Sequence, residues 1–334
     1  MSVFPIPKYF VQLKNCKMFT TIFLAGMFLA FVNFSAHAQV WPEPLSQPLR
    51  IAESPHGLLV GEYQGHSVAV VDLDTQAVQS SIPITQQPLS QTWMNGRVYV
   101  ATDYATFEVF EGVSVKKNLK NPKNPKKIVN WVRIFPDETG SITWGPTDIE
   151  FTPSDMEADE DLGLIFIADK WGKTILVLDA SGAIDHTITG LPGRPHGIAL
   201  DRVRQRIFVT VDIVGSFSSY SSVQIYDYNG VLLASINGRS VQPPGFEFSR
   251  AQGLTVDNEG RLYMVDVLRG QVMVFEENSP NVWTGLGTFG RRGSGIKELL
   301  MPMDVVVDEV TSTVYVTNFM KARLEVFTMG DMVQ

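Results

Sequence analysis

From residue 40 onward the chain is built of short apolar runs with a period of two. Val, Ile, Leu, Phe and Tyr fall at alternate positions, and each run is cut by Gly, Asn, Asp or Pro. That period predicts strands bounded by turns, and no stretch after Gln39 keeps a helical repeat. Near the end of the chain, Pro302 is followed by Met303–Asp308, Thr313–Asn318 and Arg323–Phe327, three apolar runs split by polar turns. Roughly fifty residues earlier the same order of residue types recurs in Ala251–Asp257, Arg261–Asp266 and Gln271–Phe275.

Further copies run from Pro195 to Gly230, Pro146 to Gly182, Pro88 to Gly112 and Pro48 to Gln76. Such a unit, a small antiparallel sheet, cannot bury both of its faces alone, whereas units stacked around an axis can. The expected fold is therefore all-β: a six-bladed β-propeller of four-stranded antiparallel blades. The last unit supplies only three strands before the chain ends. The segment near Val40-Trp41 is expected to add the missing outer strand and close the ring, removing an exposed edge.

The units resemble NHL repeats, whose pattern is Pro-x-Gly, an aliphatic strand ending in Asp, "(I/L)-Y-V-x-D" and then "(I/V)-x-V-F". Pro195–Asp201, Ala251–Phe275 and Pro302–Phe327 carry the likeness, and "FGRRGSGIKELLMP" resembles the glycine-rich connector between blades. Asp148 and Asp304 stand where that pattern has glycine. The resemblance implies a fold more than an activity. NHL-type propellers include protein and RNA binders, and they are similar to lyases and lactonases that hold a metal in the central channel.

Residues 1–38 read as an export signal. Lys8, Lys14 and Lys17 precede the apolar run Met18–Phe34, and small residues at Ala36 and Ala38 suit cleavage before Gln39. The run is short for a spanning helix, so the mature chain, 39–334, is expected to carry no transmembrane anchor and to be periplasmic or extracellular. The single cysteine, Cys16, lies within the signal, which leaves the mature chain without disulfides or thiolate ligands. The whole chain has a net charge of −8; without the three signal lysines, 24 basic residues face 35 acidic ones, or −11. That balance argues against nucleic acid as a partner.

The residue after the first Pro of each inner strand is expected at one mouth of the channel. This reading puts Thr147, His196, Gln252 and Met303 there, beside Asp148 and Asp304. One histidine in the ring is too few for a catalytic zinc, which wants about three protein ligands. Pro55-His56-Gly57 repeats Pro195-His196-Gly197, but His56 precedes a second strand and should lie away from His196.

Asp155, Glu157, Asp159 and Asp161 alternate as calcium ligands do, without the glycine such a loop needs, and are expected at a solvated hairpin tip where calcium would be structural. "KKNLKNPKNPKK", with Lys116, Lys117, Lys120, Lys123, Lys126 and Lys127, is an insertion between the third and fourth strands of the second blade. It reads as a basic arm for an anionic surface. No cofactor motif is present. The expected function is an exported, non-enzymatic scaffold that binds a protein or anionic glycan through blade-mouth loops. The alternative is a metal-dependent lyase or lactonase acting at the channel.

Overall fold

The computed structural model describes residues 44–116, 127–141, 143–147, 149–214 and 219–334. They form a six-bladed β-propeller. Five blades are four-stranded meanders and the sixth has three strands. Blade one comprises Pro48–Ser54, Gly57–Glu62, Ser67–Asp72 and Ala77–Pro83. Blade two comprises Pro88–Met94, Arg97–Thr102, Phe107–Lys116 and Lys127–Phe135, and blade three Pro153–Asp159, Leu164–Asp169, Thr174–Asp179 and Ile184–Ile188. Blade four comprises Arg194–Asp201, Arg206–Val214, Ser219–Asp227 and Leu232–Asn237. Blade five comprises Ala251–Val256, Leu262–Asp266, Gln271–Ser279 and Val282–Phe289, and blade six Pro302–Asp308, Thr313–Asn318 and Arg323–Thr328. All neighbours within a blade are antiparallel. No helix among the described residues is long and apolar enough to cross a membrane.

Burial explains the continuous apolar runs in the second strands. Leu164–Asp169 and Thr313–Asn318 are buried beyond their first residue, because each blade is covered on both faces by its neighbours. Outer strands such as Ala77–Pro83 are covered far less, with Ile82 alone fully buried, and are correspondingly more polar. Six apolar clusters each fill one interface between adjacent blades. The one between blades six and one, with Val306, Tyr315 and Leu324 packed on Ile51, Leu58 and Val60, closes the ring.

Val40 and Trp41 lie outside the described residues. The first described stretch leads to blade six: the Leu45 N–H donates to the Ala322 carbonyl at 2.7 Å, and the side chain is buried in the closing cluster. The C-terminal tail turns the other way. Val333 forms a bridge with Thr288 on the outer strand of blade five.

The structure corrects one boundary. Blade three's inner strand is Pro153–Asp159, not the run from Pro146. The run Pro146–Phe151 suggested a strand, but Phe151, like Trp144 before it, instead packs against Phe107 as part of a long connector. Asp169 Oδ1 accepts from Thr152 N–H at 2.8 Å, fixing where the strand begins.

Candidate functional site

Each inner strand opens with a bulge. The pairing slips between Pro48 and Ile51, Pro88 and Ser90, Pro195 and Ile198, Ala251 and Leu254, and Pro302 and Asp304. A bulge re-aims side chains, and here the residues two places after the strand's leading position meet at the axis: Arg50, Ser90, Asp155, Gly197, Gly253 and Asp304. The Arg50 guanidinium fills the centre. It donates to the carbonyls of Ser154 (3.1 Å) and His196 (2.6 Å) and lies 3.6 Å from Asp155 and 3.9 Å from Asp304, with only 4% of its side chain exposed.

Asp155 accepts from Ser90 Oγ (2.8 Å), Met156 N–H (3.0 Å) and Ile198 N–H (3.1 Å). Asp304 accepts from Ile51 N–H and Val305 N–H, each at 3.0 Å. Burial nevertheless pushes both carboxyls up, Asp304 well above the usual range because Asp155 adds its own charge. The two glycines leave this room. A Cβ on Gly253 would lie 1.8 Å from Asp304 Oδ1.

At the mouth above this plug, His196 is buried and its Nε2 lies 2.9 Å from Asp212 Oδ2. Asp212 also accepts from Ser221 Oγ at 2.5 Å. Burial opposes it, but the bonds from His196 and Ser221 hold the Asp212 carboxyl below its ordinary range. Gln252 is buried and its carbonyl accepts from Thr210 Oγ1, while Met303 faces a recess beside the mouth. Thr147 is not in the ring: it sits exposed on the connector, and Ser154 takes its place. Asp148 lies outside the described residues. His56 falls on the turn between the first two strands of blade one, edge-on to Trp93 and Trp131, as its position in the repeat implied.

The expected acidic hairpin tip is largely a strand. Asp155, Glu157 and Asp159 lie on blade three's inner strand, and only Asp161 is in the turn beyond it. They are separated by their partners: Asp155 faces Arg50, Glu157 pairs with Arg202, and Asp159 accepts from the Tyr228 hydroxyl at 2.9 Å. No group of three or more metal-ligating side chains occurs among the described residues. Lys116 ends the long third strand of blade two and Lys127 begins the fourth, as the insertion required; Lys117, Lys120, Lys123 and Lys126 lie outside the described residues.

At the opposite mouth a cavity of about 230 Å³ is lined by Glu53, Glu157, Arg202 and Glu309. Glu53 is exposed at this mouth, but desolvation by the channel wall beside its carboxyl, reinforced by Glu157, Asp308 and Glu309, pushes it up to about 7.

A recess of about 1090 Å³ lies between blades two and three on the face that carries His196. Its floor is Phe107, Trp144 and Phe151, and its rim includes Tyr104 and Trp171, 71% and 58% exposed. Glu108, buried at its edge, pairs with Arg133 (3.2 Å) and accepts from Thr85 N–H (2.7 Å) and Oγ1 (2.6 Å). The Arg194 guanidinium stacks 3.9 Å above the Trp171 ring. Burial and the charges of Arg194 and Arg250 lower the Lys170 ammonium, so this side of the mouth is electropositive.

Tyr104 and Trp171 were not singled out from the sequence. The available signal was positional: they follow Asp103 and Asp169 at the turns after second strands, where Leu268 and Met320 follow Asp266 and Asn318 in sister blades.

No known protein-family model matches the chain. Among solved structures, hydrazine synthase of Kuenenia stuttgartiensis is similar over 90% of this chain and 100% of that chain, with a TM-score of 0.56 and 14% identity. A likeness at that identity is one of fold.

Proposed function

We propose that this protein is an exported, NHL-type propeller that acts as a binding scaffold for a protein or glycan partner, and that the groove between blades two and three favours a glycan. The observation that carries this reading is the pairing of an apolar aromatic floor with two exposed rings, Tyr104 and Trp171, beside polar edge groups. Rings of this kind bury the apolar faces of sugars while their edges stay wet. Arg194 and Lys170 beside Trp171, together with the basic 116–127 insertion, suit an anionic chain on an otherwise acidic protein.

A metal-dependent lyase or lactonase at the axis finds less support. The two carboxylates best placed to hold a cation there, Asp155 and Asp304, already face the fixed charge of Arg50. Calcium on Asp155, Glu157, Asp159 and Asp161 is likewise disfavoured by the separate partners of the first three.

Affinity electrophoresis through gels containing polygalacturonate or dextran tests the proposal. Polygalacturonate should retard the protein, and Tyr104→Ala with Trp171→Ala should abolish the shift without lowering the melting temperature. Equal mobility with and without either polysaccharide would overturn the glycan reading.

A further inference from the structure

A second recess, apart from the groove, opens on the same face between blades five and six. Its volume is about 410 Å³, within the range of small-molecule sites, and its wall is mostly apolar. Leu268, Met301 and Met320 are 51%, 40% and 57% exposed there, and Met303 lines its inner side next to the channel. Solvent-facing apolar residues clustered in a concavity mark a binding surface more often than a decoration, and methionine adapts to varied apolar shapes.

The recess is preformed. Phe319 N–H donates to the Met301 carbonyl (3.2 Å) and Met320 N–H to the Leu300 carbonyl (3.3 Å), which ties the short helical turn Phe319–Lys321 to the entry of blade six. Asn318 Oδ1 accepts from Leu300 N–H at 2.9 Å. Met301 is held in the left-handed region, φ 60°, an arrangement that costs energy and persists because these bonds fix both its flanks.

Two arginines border the recess, Arg250 toward the channel and Arg292 on the far side. Their neighbour Arg269 pairs with Glu247 and Asp266, whereas Arg250 and Arg292 make no salt bridge among the described residues. Arg292 reaches the Leu268 carbonyl, at 3.5 Å. Beyond Arg250 stand Lys170 and Arg194, and Asp212 lies close enough to Lys170 and Arg250 to moderate their charge.

We propose that this recess binds a small amphipathic carboxylate, its chain among Leu268 and the methionines and its head group between Arg250 and Arg292. Arginine forks suit a carboxylate bidentately, and an apolar slot of this size admits a single chain.

Calorimetric titration of the purified protein with decanoate, below its micellar range, tests this. Decanoate should bind at least tenfold more tightly than decyltrimethylammonium, which has the same chain and the opposite charge, and at least tenfold more tightly than acetate. Arg250→Gln with Arg292→Gln should weaken decanoate at least tenfold at an unchanged melting temperature, while Tyr104→Ala with Trp171→Ala, which lie outside this recess, should leave decanoate binding intact. Equal affinity for the two decyl probes, decanoate affinity indifferent to the arginines, or co-sedimentation with phosphatidylglycerol vesicles in place of decanoate binding would each overturn it.

Discussion

Arg50 is the residue on which the closed channel rests, and its removal has a calculable signature. Arg50→Met keeps most of the side-chain volume but takes away the basic group that, among the described residues, pairs with Asp155 and Asp304, whose side chains are 7% and 5% exposed. It also leaves the Ser154 and His196 carbonyls without their donor. Breaking a buried ion pair from one side typically costs about 3–5 kcal/mol, because the remaining charge is uncompensated. For a chain of this size that corresponds to a fall in melting temperature of roughly 5–8 °C.

The penalty must depend on pH. Both carboxyls already titrate above their unfolded values, so protonation favours the folded state and stability declines as pH rises from the unfolded pKa toward the folded ones. Without the arginine those folded values rise further, which extends the decline to higher pH. Differential scanning calorimetry at pH 5 and pH 8 should therefore show a smaller gap between wild type and Arg50→Met at pH 5. Adding Asp155→Asn and Asp304→Asn should restore much of the lost stability and abolish the pH dependence of the gap. A single variant within 1 °C of wild type at both pH values would refute the account of the axis as a charge-balanced plug.

Four further outcomes follow from the same geometry. Gly253→Ala should lower the melting temperature by several degrees, since its Cβ would collide with Asp304; full retention of stability would show that the axis has slack. Glu53, raised to about 7, favours the protonated folded state, so its contribution is complete below its unfolded pKa of about 4.5 and is lost as pH rises through 7. Glu53→Gln should flatten that decline in denaturant titrations between pH 5 and 8, and an unchanged slope would refute the assignment. Deleting residues 39–44 should lower the melting temperature sharply if this segment completes blade six, and an unaltered melt would sink that idea. Neutralising the six lysines of 116–127 should weaken polygalacturonate retardation and reduce its salt dependence; retention of both would show that the arm takes no part.

The repeat made the propeller legible, and the same repeat concealed its centre. Strand period, turn residues and blade spacing are dictated by stacking, which every blade shares, so the copies at Pro195, Ala251 and Pro302 predicted their strands closely. The placing of the basic insertion between two strands of blade two followed in the same way. The axis has no such redundancy. Asp155 was hidden because Pro146–Phe151 imitates an inner strand in composition, and only the bond from Thr152 to Asp169 and the packing of Phe151 on Phe107 decide between the two frames. Once the frame slips, Asp155 reads as a solvated loop acid and its counter-ion Arg50, distant by more than a hundred residues in sequence, has nothing to answer.

Departures from the repeat are therefore where this protein's own chemistry lies. Asp169, Asp266 and Asn318 all accept from the backbone of the connector entering an inner strand, at Thr152, Ser249 and Leu300. Asp212, the equivalent residue in blade four, turns instead to His196 and Ser221. A structural cap has been exchanged for a side-chain network at the channel mouth, with Lys170 and Arg250 in reach of its charge. Stacking does not require that exchange, since its sister blades manage without it. What it does is fix a buried imidazole and a low-lying carboxylate between the aromatic groove and the methionine recess. A ligand entering either site would meet the same rigid, electropositive rim, and the two sites can share charge without sharing a single lining residue.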